Sequence, residues 1–195
     1  MRSLAIMLSA GWLTACSVTP VGGPDSMKDT SVEEFKRLCA TKLEGCRGPH
    51  TVRLLKEDGA VHEISFEIGV PVVQGNLVTI FPGETIYLEA DLEGDRVVRL
   101  RAVSEMVNPD RTMTFSFSQS EGETDMLFKA SNPFPRPLKY RMGMERLDRD
   151  GLLSTSSCPI VAGGSAYEFW PHPIFQLVLT DFRLLDEDGS GFVCE

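Results

Sequence analysis

From Thr51 onward, apolar and polar residues alternate with a period of two. That pattern marks strands with one face buried and the other solvated. The alternating runs pair off around tight turns. Residues 52–56 and 61–68 flank a turn at 57–60, and 85–91 and 96–103 flank one at 92–95. Runs 112–118 and 124–130 meet at Glu121-Gly122, and 139–147 and 152–155 meet at 148–151. A last pair is expected from 174–185, a turn at 186–191, and 192–194. Asp-Gly and Glu-Gly between β-rich runs are strong hairpin signals. About ten strands without long helices between them predict an all-β fold, an antiparallel sandwich or partly open barrel. Rossmann and TIM architectures are excluded.

One segment breaks the two-residue period. Ser31-Val-Glu-Glu34 has the form of a capping box, and Val32, Phe35, Leu38 and Cys39 then recur at helical spacing. This predicts a short helix over 32–41, ended by Gly45, Gly48 and Pro49. Residues 31–195 read as a single domain, since no composition shift interrupts 50–195. Two segments read as loops: 131–137, with prolines around Phe134, and 166–173, with Tyr167, Phe169 and Trp170 ahead of Pro171 and Pro173. Closely spaced prolines predict extended backbone outside a ladder. Their aromatics are candidates for an interaction patch, because Trp and Tyr dominate hot spots. The competing and favoured reading is that they plug the open end of the sandwich.

The N-terminus has one positive charge, Arg2, and an apolar run over 4–13. Such a run is too short to span a bilayer and fits a signal-peptide core. Leu13-Thr14-Ala15-Cys16 then resembles the lipobox of bacterial lipoproteins. The resemblance covers the first sixteen residues only. It implies cleavage after Ala15 and acylation of Cys16, including palmitate, so residues 1–15 are leader. Residues 16–30 follow as a lipidated Cys and a Pro- and Gly-rich tether. Three acyl chains would hold the protein at its membrane, where one holds weakly. By analogy with Gram-negative sorting, Ser17 points to the outer membrane.

Charge agrees with this picture and narrows the function. The 195 residues carry 19 Lys and Arg against 28 Asp and Glu, a formal charge of -9. A nucleic-acid binder needs a basic footprint, so that class is excluded. Anionic lipid would mildly repel the acidic body, leaving membrane attachment to the acyl chains on Cys16.

Once Cys16 is assigned to lipid, four cysteines remain. An even number in an exported chain predicts two disulfides. Of the three possible pairings we favour Cys39–Cys46, near in sequence, and Cys158–Cys194, which staples the C-terminal segment. A Cys39, Cys46, His50 metal set does not have a zinc spacing.

Other chemistry is sparse. Asp186, Asp188 and Ser190 match positions 1, 3 and 5 of an EF-hand loop, a weak Ca²⁺ candidate. Its bidentate Glu at position 12 is not present, and a polar turn is the preferred reading. His50, His62 and His172 have no ligand spacing, and no serine sits in a nucleophile-elbow context. No cofactor is expected. The sequence therefore predicts a lipid-anchored envelope protein, not an enzyme, that binds a protein or polysaccharide partner. A small-molecule or Ca²⁺-binding lipoprotein is the alternative, with a hydrolase third.

Overall fold

The computed structural model describes residues 36, 37, 39, 45–67, 69–186 and 191–194. It is all-β and antiparallel throughout its ladders. In chain order the strands are β1 (Cys46–Arg47), β2 (His50–Leu55), β3 (Val61–Phe66), β4 (Val70–Pro71) and β5 (Val73–Gln74). Then come β6 (Leu77–Ile80), β7 (Glu84–Glu93), β8 (Arg96–Val103), β9 (Thr112–Gln119) and β10 (Met126–Ser131). The last are β11 (Leu138–Arg146), β12 (Leu152–Thr155), β13 (Ser165–Trp170) and β14 (Ile174–Leu184).

Ten strands form one sheet in the order β12-β11-β14-β8-β7-β9-β10-β13, with β6 also on β14 and β5 on β6. The sheet curls so that its two halves face each other. Phe115 on β9 packs edge-on against Phe182 on β14 and Tyr140 on β11, with ring centroids 6.0 and 6.1 Å apart. Phe117, Phe128, Leu138, Met142, Leu177 and Leu179 fill the same buried interior. Each such side chain contributes about 1.5–3 kcal/mol on burial. The sheet's two end strands are joined by side chains. Trp170 Nε1 on β13 donates to Thr155 Oγ1 on β12 at 3.0 Å. No ladder links them among the described residues, so the barrel is not closed.

A two-stranded sheet, β2-β3, packs beside the main sheet. His50 stacks on Phe66 at 4.8 Å, and both rings contact Phe81. Gln119 Oε1 accepts the Leu55 N–H at 2.7 Å, and its Nε2 donates to the Leu55 carbonyl at 2.9 Å. The amide of Gln119 thus substitutes for a ladder partner at the end of β2.

Four of the five expected hairpins are present. The fifth is corrected: residues 192–194 form no strand. Strand β14 already pairs with β11, β6 and β8, which leaves no edge for a returning strand. A second correction concerns 166–173. Strand β13 is fully laddered to β10 from Ser165 to Trp170. Pro171 and Pro173 lie beyond it, so they end the strand without breaking it. The strands at 70–80 had no strong alternation and were not expected. Of the helix expected over 32–41, Lys36, Arg37 and Cys39 are helical; the other positions lie outside the described residues.

Both expected disulfides are formed. Cys39–Cys46 and Cys158–Cys194 have Cα separations of 5.6 and 4.1 Å.

Candidate functional site

Strands β10 and β13 decide where the aromatic candidates go. Their period of two sends Met126, Phe128 and Ala130 inward from β10, and Leu127 and Lys129 outward. On β13, Ala166, Glu168 and Trp170 turn inward, and Tyr167 and Phe169 outward. Register sets Leu127 opposite Phe169 and Lys129 opposite Tyr167. Directly opposed residues share a face and touch. The Lys129 ammonium lies 5.6 Å from the Tyr167 ring centroid, within cation–π range. Tyr167 is 62% exposed and Phe169 58%, with Leu127 also exposed. The outcome is a row of large apolar side chains on the outer face at one end of the sheet.

The other two aromatic candidates are in the interior. Trp170 is 7% exposed and meets Phe117 edge-on at 6.4 Å. Phe134 is 3% exposed. Its loop is folded down by Asn132, a residue the sequence reading missed. Asn132 Nδ2 donates to the carbonyls of Arg136, Ile160 and Val161, and its Oδ1 accepts the Phe134 N–H at 2.9 Å. The plugging reading therefore describes Phe134 and Trp170, and only Tyr167 and Phe169 remain at a surface. The signal that separates them was present: Tyr167 and Phe169 share a parity that Trp170 does not.

The remaining candidates do not converge with this face. His50 Nδ1 lies 3.0 Å from the Gly48 carbonyl, within the stack on Phe66. His62 sits on β3 opposite Leu54. His172 Nε2 is shut from solvent without a hydrogen-bond partner among the described residues. Burial pushes its imidazole below the ordinary value, and Arg146 acts in the same direction. Asp186 Oδ1 accepts from Arg136 Nη2 at 3.3 Å. Asp188 and Ser190, the other members of the loop motif, lie outside the described residues, as does Cys16. Among the described residues, no three His, Cys, Asp or Glu side chains gather as a metal set. Ser157 is buried and donates to the Tyr140 carbonyl at 2.7 Å.

Two other features are built from charge. Glu89 on β7 is buried, and Asn108 (2.7 Å) and Arg101, its register partner on β8, hold its carboxyl below the usual range. A cleft of about 340 Å³ lies between the turn at 57–58, residues 146–148 and Pro173. Its cations are already neutralised: Lys56 by Asp58 at 3.0 Å and Arg146 by Asp148 at 2.7 Å. The outer face of β10 and β13 has no such internal compensation for its exposed rings.

No family model, curated protein or solved structure matches this chain.

Proposed function

We propose that the protein is a lipid-anchored component of a bacterial envelope, held by acyl chains on Cys16 at the outer membrane, and that it works by binding a protein partner. The contact surface is the outer face of β10 and β13. The observation that carries this reading is the exposed Leu127–Phe169 and Lys129–Tyr167 row. Exposed aromatics on a rigid strand lose little entropy when covered and make effective anchors. Leu127 beside Phe169 suits an apolar side chain of another protein better than a sugar face, and Lys129 suits an acidic neighbour. The tether at 17–30 would span about 45–50 Å fully extended. The contact would therefore be made close to the membrane. Among the described residues no helix is long and apolar enough to cross a membrane.

Crosslinking in intact cells, with the full lipidated protein captured and its partners identified by mass spectrometry, tests the proposal. Tyr167→Ala with Phe169→Ala should abolish capture of a defined envelope protein while lowering the melting temperature by only a few degrees. Cys16→Ala should lose the same partner by releasing the protein from the membrane. Undiminished capture by the double variant would move the contact elsewhere. Recovery of polysaccharide in place of protein would overturn the partner class.

A further inference from the structure

Among the described residues, two non-glycine residues have left-handed backbone: Arg99 (φ 49°) and Asp181 (φ 55°). Both sit at bulges. Arg99 and Leu100 together face Ala90, and Asp181 and Phe182 together face Tyr140. Bulges bend strands and re-aim side chains, and strained residues of this kind cluster at functional sites. Here the bent strands are β8 and β14. They join through one register pair, Arg96 opposite Arg183, while β14 turns to β6 over Leu177–Leu179. Where they part, a cleft of about 180 Å³ opens, lined by Asn76, Arg96, Val97, Leu100, Asp181 and Arg183.

Two like charges directly opposite across a ladder are destabilising. Neither guanidinium has a hydrogen-bond or carboxylate partner among the described residues. Two of the nearby carboxylates, Glu93 and Asp181, are engaged by other arginines, and Asp95, exposed beside Arg96, makes no ion pair among the described residues. Glu93 faces Arg96 in register, yet its Oε1 accepts Arg99 Nη1 at 2.6 Å. Asp181 on the cleft wall is matched by Arg141 Nη1 at 3.4 Å. Lys139, next in the same cross-strand row, donates its ammonium to the Ser157 and Val193 carbonyls. An acidic protein thus carries a small cleft lined by two arginines without ion-pair partners among the described residues and by one aspartate paired to Arg141.

We propose that this cleft binds a phosphate group, its oxygens held by the guanidinium forks of Arg96 and Arg183. A guanidinium fork matches phosphate bidentately. One arginine can saturate a carboxylate, whereas a phosphate has oxygens enough for two forks and the Asn76 amide. The cleft is smaller than the roughly 300–1,000 Å³ of sites for drug-sized ligands. That size suits a phosphate with few attached atoms, either a soluble phosphate ester or a phospholipid headgroup. The site is separate from the β10–β13 face and does not depend on it.

Calorimetric titration of the full chain with inorganic phosphate, and separately with dihexanoyl phosphatidylglycerol below its micellar concentration, tests this. Saturable binding of either is expected, and whichever binds tighter identifies the source. Arg96→Gln and Arg183→Gln should each weaken it at least about tenfold, the loss of one charge-assisted contact. Arg149→Gln, outside the cleft, should not. Asp181→Asn should strengthen it, since Asn tolerates left-handed backbone and removes a repelling charge. In phosphate-free buffer the two Gln variants should melt at or above the wild-type temperature, which separates lost binding from lost folding. Failure to saturate by about 10 mM, or equal weakening by Arg149→Gln, overturns the site.

Discussion

The guanidinium of Arg47 lies bidentate on the carboxylate of Glu84, with Nη2 2.8 Å from Oε2 and both side chains largely withdrawn from solvent. Its remaining donors reach the Pro71 carbonyl at 3.1 Å, the Thr79 hydroxyl at 3.2 Å and the Thr79 carbonyl. Glu84 also accepts the Phe81 N–H at 2.8 Å, and the Phe81 ring covers the guanidinium at 4.8 Å. One side chain on β1 therefore ties β4, β6 and β7 together. Removing one member of such a pair leaves the other charge buried and costs about 3–5 kcal/mol. Glu84→Gln should lie near the low end, because Glu84 is the more exposed partner. Urea unfolding measures it. A loss below about 1 kcal/mol, the range of surface pairs, would show that Arg47 finds solvent in the variant.

A second fastening closes the C-terminal segment. Cys158–Cys194 joins residues 36 apart, and Lys139 Nζ donates to Ser157 and Val193 carbonyls on either side of it. The chain-entropy model gives about 3–4 kcal/mol for a loop of this length. Cys158→Ser with Cys194→Ser should lose about that much in denaturant unfolding. The buried ammonium of Lys139 should also become reactive toward an amine-labelling ester once the segment is released. Unchanged labelling of Lys139 in the reduced protein would show that the segment stays docked without its bridge.

His172 predicts the direction of a pH effect. Burial, then Arg146, lowers its pKa below the ordinary 6.5, while Asp148 and Glu57 oppose the shift. The unfolded chain therefore binds a proton at a pH where the folded chain does not. Stability from this group is fully present above about 6.5 and is lost as pH falls through the lower folded value. His172→Phe should flatten the fall in melting temperature from pH 7 toward pH 5. Parallel profiles for the two proteins would show that His172 keeps its water contact when folded.

The strand pattern was legible where the chain alternates strictly and turns on Gly. The pairs β2-β3, β7-β8, β9-β10 and β11-β12 have both signals. Strands β4 to β6 lacked them, because β4 and β5 are two residues each and Val78 to Ile80 of β6 are buried in succession, so no solvent-side alternation shows. The strand Ser165–Trp170 was legible but was overruled by prolines that lie outside it. Both disulfides followed from cysteine count, spacing and the export that the N-terminal sequence leads one to expect. The pairing of Arg96 with Arg183 had no sequence signal, since 87 positions separate them and the register depends on two bulges. Asn132 was hidden for a related reason: its three acceptors belong to residues drawn together only by folding.

The division of the four aromatics is itself testable. Trp170 and Phe134 fill the interior, so truncating either should open a cavity and cost about 3–5 kcal/mol. Trp170→Ala would also strip Thr155 Oγ1 of its donor, loosening the side-chain link between the sheet's two ends. Tyr167→Ala and Phe169→Ala remove exposed rings whose partners are cross-strand neighbours alone, and each should cost under about 1 kcal/mol. Two neighbouring residues of one strand, Phe169 and Trp170, would then differ severalfold in stability cost while reversing that order in partner capture. Equal destabilisation by both would mean that Phe169 is packed in solution, and the outer face would no longer serve as the contact surface.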